Sequence, residues 1–142
     1  MTQHIINGHE LAREVEDSIA NFVYSLQGPR PNLAIVLVGN RPDSELYIQL
    51  KQQEAKKVGI DTHLYRCPEN ITEQECLTLI NFLNDDPLID GILVQLPLPD
   101  HLQTDTIVNT IKPDKDIDGF TVINLQKLLN DDPSAIIPPV FG

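Results

Sequence analysis

The chain has 142 residues, 41% of them hydrophobic, enough for one globular domain with its own core. A formal net charge of −11 argues against a nucleic-acid backbone or an anionic membrane surface as partner, and no apolar run approaches membrane-spanning length. The only two cysteines, Cys67 and Cys76, stand in no metal-like spacing and the sequence opens without a signal-peptide pattern, so no metal site and a reducing, cytoplasmic home are expected.

Residues 1–6 read as a short edge strand or arm. Asn7 with Glu10 three positions on can cap a helix whose apolar face is Leu11, Val15, Ile19, Phe22, Val23 and Leu26, and the Gly28-Pro-Arg-Pro31 run stops it. Residues 33–39 form an unbroken, β-branched apolar run ending at Gly39, the pattern of a strand buried on both faces of a parallel sheet. A helix follows, with Pro42 and Asp43 or Ser44 as start and cap chemistry and Gly59 as its stop. Strand, turn and helix make half of a βαβ unit.

On that helix Tyr47, Ile48, Lys51, Ala55 and Val58 share one inward stripe, and Lys51 occupies a position where the pattern asks for an apolar residue. Partial burial disfavours an ammonium, which makes an inward amine a candidate acid, base or donor. Tyr47 is one turn earlier, so its ring and the lysine meet on one face. The plainer alternative is a lysine that snorkels along its stem to solvent. Arg41, Lys51, Lys56 and Lys57 gather around this helix, so a small anionic ligand is compatible with the acidic whole.

Residues 62–67 alternate as a second strand nearer an edge. Thr72 and Glu75 form a capping box for a helix that buries Cys76, Leu77, Ile80 and Leu83 and ends at residues 84–87. A third strand runs from Asp90 and must finish near Gln95, because Pro97 cannot extend a central ladder. Ligands of open parallel sheets bind beyond the carboxyl ends of strands, which places Gln95 and the turn after Gly39 where binding residues sit. The Gln95 amide can read a flat heteroaromatic edge, or it can merely satisfy loose backbone. Leu-Pro bonds at such a place are candidates for the cis form.

Residues 102–111 give a short helix with Ile107, Val108 and Ile111 inward. Residues 112–120 form a charged loop whose default is a solvated turn; Ile117 and Phe120 are apolar anchors able to hold Asp118 toward the strand-end cleft. Residues 122–129 read as a last helix, and the tail from about residue 130 is irregular. The fold class is α/β, a three-layer domain spanning 1–142 with three or four mostly parallel strands and helices on both faces.

Three motifs carry a family resemblance: Val38-Gly39…Pro42-x-Ser44-x-x-Tyr47-x-x-x-Lys51, then residues 90–99 from Asp90-Gly91 through Gln95 to Pro99, then Pro113-x-Lys115-Asp116-x-Asp118-Gly119-Phe120. In this order they resemble the amino-terminal domain of the bifunctional methylenetetrahydrofolate dehydrogenase/methenyltetrahydrofolate cyclohydrolase family of one-carbon metabolism. The resemblance implies a folate site in which Tyr47 stacks on the ring system and Lys51 is the central catalytic residue, assisting water attack on the cationic methenyl bridge. It implies that Gln95 and Asp118 hold the pterin, with Ser44 beside the site, although Ser44 also reads as a helix cap.

Members of that family continue into a Rossmann domain that binds NADP or NAD and carries the homodimer contact. No two of the seven glycines here lie close enough for a phosphate-binding turn. The expectation is therefore cyclohydrolase chemistry at most, on a tetrahydrofolate derivative, by a monomeric piece without cofactor. Where the family has Pro-Cys-Thr-Pro the chain reads Ile137-Pro138-Pro139-Val140-Phe141, losing the threonine that helps shape the folate site, and His-Pro-x-Asn appears as Thr121-Val122-Ile123-Asn124, keeping only the asparagine. The competing reading is a module that binds a folate or a protein without turnover; a third, the substrate domain of an amino-acid dehydrogenase, predicts different anchoring residues.

Overall fold

Strand β1 (Asn32–Val38) lies at the centre of a three-stranded sheet, with β2 (Asp61–Cys67) on one side and β3 (Gly91–Val94) on the other, both parallel to it. The computed structural model describes residues 7–138, so the arm expected at 1–6 and the last four tail positions fall outside the described residues. Burial on both faces explains the unbroken apolar run. Ala34, Val36 and Val38 point to one side, into a core with helices α3 (Glu73–Asp85) and α4 (Thr104–Thr110). Ile35 and Leu37 point to the other, against Ile48 of α2 (Pro42–Lys57), and Ile35 stands level with Leu64 and Leu93. The three-layer α/β expectation holds, with three strands and one further bridge from Ile92 to Asp116, where the Ile92 N–H donates to the Lys115 carbonyl at 2.8 Å.

The helix after β2 forms as its sequence dictates. Thr72 accepts from the Glu75 N–H at 3.2 Å while the Glu75 carboxylate accepts from the Thr72 N–H at 2.8 Å, and Cys76, Ile80 and Leu83 are fully buried. Helix α5 (Val122–Leu129) starts on Thr121, whose hydroxyl accepts from the Asn124 N–H.

Helix α1 (Gly8–Ser25) is where the sequence expectation fails. Asn7 caps it by accepting from the His9 N–H at 3.2 Å, but Leu11, Val15, Ile19, Phe22 and Leu26 are all 40–66% exposed and only Val23 is buried. Its attachment is near its carboxyl end, where Val23 and Tyr24 lie against Gly59; Gly59 has φ of +85°, and a Cβ there would come within 3.1 Å of Val23. Periodicity identifies an apolar face without supplying the surface that covers it.

Helix α2 corrects two further expectations. Its N-cap is Arg41, with no side-chain cap bond, and Pro42 opens the first turn. Ser44 is therefore not a cap: it sits inside that turn, 3% exposed, its N–H donating to Asp43 Oδ1. The inward stripe is also narrower than the periodicity suggested. Ile48 and Val58 are buried and Ala55 is partly so, whereas Tyr47 is 59% exposed and Lys51 is exposed.

Candidate functional site

Strand β3 delivers the first member of the site. The Gln95 N–H donates to the Val36 carbonyl at 2.9 Å, continuing the ladder one bond past Val94 before the cis Leu96–Pro97 peptide turns the chain. Gln95 is consequently buried, and both ends of its amide are engaged: Nε2 donates to the Leu96 carbonyl at 3.0 Å, and Oε1 accepts from Lys51 Nζ at 3.2 Å. The lysine thus reaches the strand end from the rim of α2, over an exposed stem, instead of from an inward position.

Asp118 completes the cluster from the loop before α5. Its carboxyl is raised above the ordinary carboxylate value, first by burial, an effect opposed by the Lys51 charge and reinforced by Asp116. Lys51 and Gln95 are thus in contact at the carboxyl end of the sheet, and Asp118 lies within reach of the Lys51 charge. Tyr47 stands one turn before Lys51 with its ring open to solvent. Ser44 is buried in the first turn of the same helix.

The loop is held differently from the way its sequence suggests. The expected anchors Ile117 and Phe120 are 37% and 39% exposed, although Ile117 does lie on β3, where a Cβ at Gly91 would come within 2.5 Å of it. The main anchor is Asp116, 1% exposed, whose carboxylate accepts from the Phe120 N–H at 3.3 Å, the Thr121 N–H at 2.9 Å and Asn124 Nδ2 at 2.9 Å. Asn124 Nδ2 also donates to the Pro113 carbonyl at 2.8 Å, tying both ends of the loop to α5. Gly119 turns with φ of +66°, and the tail packs so closely that a Cβ there would collide with the Ile136 carbonyl. The sequence places Asp116 and Asn124 in family motifs without giving them a role; the available signal was a carboxylate four and five residues before N–H groups in a Gly-containing turn, an Asx-like pattern.

Of the cations gathered around α2, Arg41 makes two bonds to Asp43, at 3.2 and 2.9 Å, and Lys57 pairs with Glu54 at 2.7 Å. A cavity of about 510 Å³ opens at the carboxyl ends of β1 and β3, bordered by Asn40, Arg41, Glu69, Asp100 and His101. Cys67 and Cys76 are buried free thiols; burial pushes both up, Cys76 to about 11, which makes them unreactive. Among the described residues no cluster of His, Cys, Asp and Glu could hold a metal ion, and no helix is long and apolar enough to cross a membrane.

Comparison with known proteins gives a consistent match. Residues 6–118 match the family model of the tetrahydrofolate dehydrogenase/cyclohydrolase catalytic domain. The chain is 45% identical over 140 residues to the bifunctional protein FolD of Dichelobacter nodosus, covering 96% of this chain and 48% of that protein. It is 44% identical over 135 residues to the mouse mitochondrial bifunctional methylenetetrahydrofolate dehydrogenase/cyclohydrolase 2, covering 93% of this chain and 40% of that one. The silkworm 5,10-methylenetetrahydrofolate dehydrogenase superposes with a TM-score of 0.91 at 38% identity, over 96% of this chain and 48% of that chain. The chain thus spans about half the length of the relatives it matches.

Proposed function

The chain belongs to the tetrahydrofolate dehydrogenase/cyclohydrolase family, and from that premise we propose that it is the folate-binding catalytic domain of a two-domain enzyme, able by itself to open 5,10-methenyltetrahydrofolate to the 10-formyl form. The observation that carries the proposal is the contact of Lys51 Nζ with Gln95 Oε1 at 3.2 Å beside the half-buried Asp118.

The roles follow from the chemistry of each group. Asp118 accepts from the donors of the pterin N-C-N edge and offsets the positive charge of the methenyl bridge. Gln95, with its Nε2 committed to the Leu96 carbonyl, keeps its oxygen toward Lys51 and so fixes the amine. The amine stands beside the attacking water and relays its proton; one C–O bond forms at the bridge carbon, one C–N bond breaks, and a proton is released. Tyr47 covers the ring system by stacking. Ser44 shapes the start of α2 beneath the site.

Hydride transfer is not assigned to these residues. The turn after β1 leads into a helix whose first position is Pro42, without an N–H, and whose next N–H groups face the Asp43 carboxylate. That donor set does not fit a dinucleotide pyrophosphate. NADP or NAD is accordingly proposed to bind in the second half that the relatives carry, as is the contact of a homodimer, leaving this piece monomeric. The two free thiols support a cytoplasmic location, and the acidic charge argues against a nucleic-acid backbone or an anionic membrane surface as partner.

The test is to follow decay of 5,10-methenyltetrahydrofolate with the purified chain, without nicotinamide cofactor and beside Lys51→Met. Enzyme-dependent decay that the variant lacks is the expected result. No decay above background from a folded chain that still binds tetrahydrofolate would replace the enzyme reading with that of a binding module.

A further inference from the structure

We propose that Asp116 and Asn124 form a buried positioning pair that sets the aim of Asp118 at Lys51. The naming of the ligand rests on the folate reading above; the pair itself is defined by geometry.

Asp118 makes no hydrogen bond of its own among the described residues, so its direction comes from the backbone that carries it. That backbone is closed by bonds to a single residue. The Asp116 carbonyl accepts from the Gly119 N–H at 3.1 Å, and the Asp116 carboxylate accepts from the two following N–H groups, Phe120 at 3.3 Å and Thr121 at 2.9 Å. Residues 117 and 118 are thereby enclosed between fixed points. Asn124 supplies the external reference: from the first turn of α5 it holds the Asp116 carboxylate and the Pro113 carbonyl with one amide nitrogen. The Ile92 bridge fastens the same segment to β3, which Gln95 directly follows. Thus the residues flanking Asp118 and the residue holding Lys51 share one rigid frame.

A simple loop staple would not need this composition. Asp116 is 1% exposed and has no cation within bonding distance among the described residues, and Asn124 Oδ1 is buried without a partner there. Buried carboxylates and orphaned amide oxygens are costly, and such groups are retained where they serve a purpose beyond packing. The Asp116 charge also acts on Asp118, raising it while Lys51 lowers it. Geometry and field from the same buried carboxylate therefore set how Asp118 meets the amine.

The test compares Asp116→Asn, Asn124→Ala and Asp116→Ala with the wild-type chain by tetrahydrofolate titration, melting temperature and amide hydrogen exchange. Asn at 116 keeps shape and one acceptor but turns a donor toward an N–H. We expect the dissociation constant to rise about tenfold, the effect of one lost charge-assisted contact, in Asp116→Asn and Asn124→Ala, and further in Asp116→Ala. Exchange at Gly119, Phe120 and Thr121 should quicken while that of β1 and α3 stays as in wild type. A lowered melting temperature with unchanged dissociation constant would overturn the proposal and leave a structural staple. If Asp116→Ala does not fold, the other two variants decide.

A ligand-free measurement separates this proposal from the folate reading. In wild-type protein Lys51→Met should displace the Asp118 carboxyl carbon resonance, and in the Asp116→Asn background that displacement should fall to less than half. Equal displacement in both backgrounds would overturn the positioning role. Wild-type protein that binds no tetrahydrofolate yet shows the lost coupling would instead remove the folate reading and leave the pair standing.

Discussion

Lys51 and Asp118, whose charges act on each other, come from two regions built in opposite ways. The α2 side holds its functional group by a single 3.2 Å bond to Gln95, on an exposed stem above a buried stripe reduced to Ile48, Ala55 and Val58. On the loop side Asp116, Thr121 and Asn124 are at most 2% exposed and joined by hydrogen bonds, and Gly119 is pressed against the tail. Under the proposed roles, one bond to Gln95 orients the amine while leaving its stem free, and the loop carboxylate is fixed in advance. Perturbing the first region should change rate or binding and leave stability alone; perturbing the second should change affinity and stability together.

The largest effect should come from Lys51→Met. Because the side chain is exposed, the melting temperature should stay put, while cyclohydrolase turnover falls at least about 100-fold, the usual scale for a lost proton-transfer group. Turnover within a factor of two of wild type would show that another group handles the proton. Gly119→Ala should be next. It forces φ of +66° on a residue with a Cβ that meets the Ile136 carbonyl, and should cost about 2 kcal/mol or more in denaturant unfolding. An unchanged unfolding midpoint would mean that the loop is less fixed than its network suggests.

Asp118→Asn opposes affinity to stability. A carboxyl raised in the folded state favours the fold while protonated, below its ordinary value, and that contribution is lost as pH rises through the raised value. At neutral pH the ionised Asp118 therefore costs stability, and the amide variant should melt higher, with the gain vanishing in acid below the ordinary carboxylate range. Its tetrahydrofolate affinity should fall about tenfold, by loss of a charge-assisted pair. Thermal melts across pH check the first part and a titration the second.

These two regions also differed in how far their sequences could be read. The β1–α2 unit was legible because a doubly buried strand and a Pro-started helix leave strong local patterns, as did the capping box of α3. Helix α1 carries an equally clear apolar period yet leaves that face uncovered, since a period encodes amphipathicity and not the identity of what packs on it. Lys51, Gln95 and Asp118 were found as chemistry-bearing residues in motif positions, but the manner of Lys51's approach was not, because a long stem lets one position serve an inward or a rim role. Asp116 and Asn124 were legible as motif members, but their role was not, for a physical reason. Their importance lies in hydrogen bonds to backbone at several positions, and side chain to main chain contacts leave no hydrophobic period.

The smallest expected effect would sharpen the contrast most. Tyr47 is 59% exposed on α2, so its ring gives little to the free fold, and removing it should leave unfolding unchanged within about 0.5 kcal/mol. If it stacks on bound ligand, the whole of its contribution appears on binding: Tyr47→Ala should weaken tetrahydrofolate binding by about 1 kcal/mol, the usual scale for an aromatic pair, while Tyr47→Phe keeps wild-type affinity. Loss in both variants would assign the role to the hydroxyl. Loss in neither would place the ligand away from α2's outer rim.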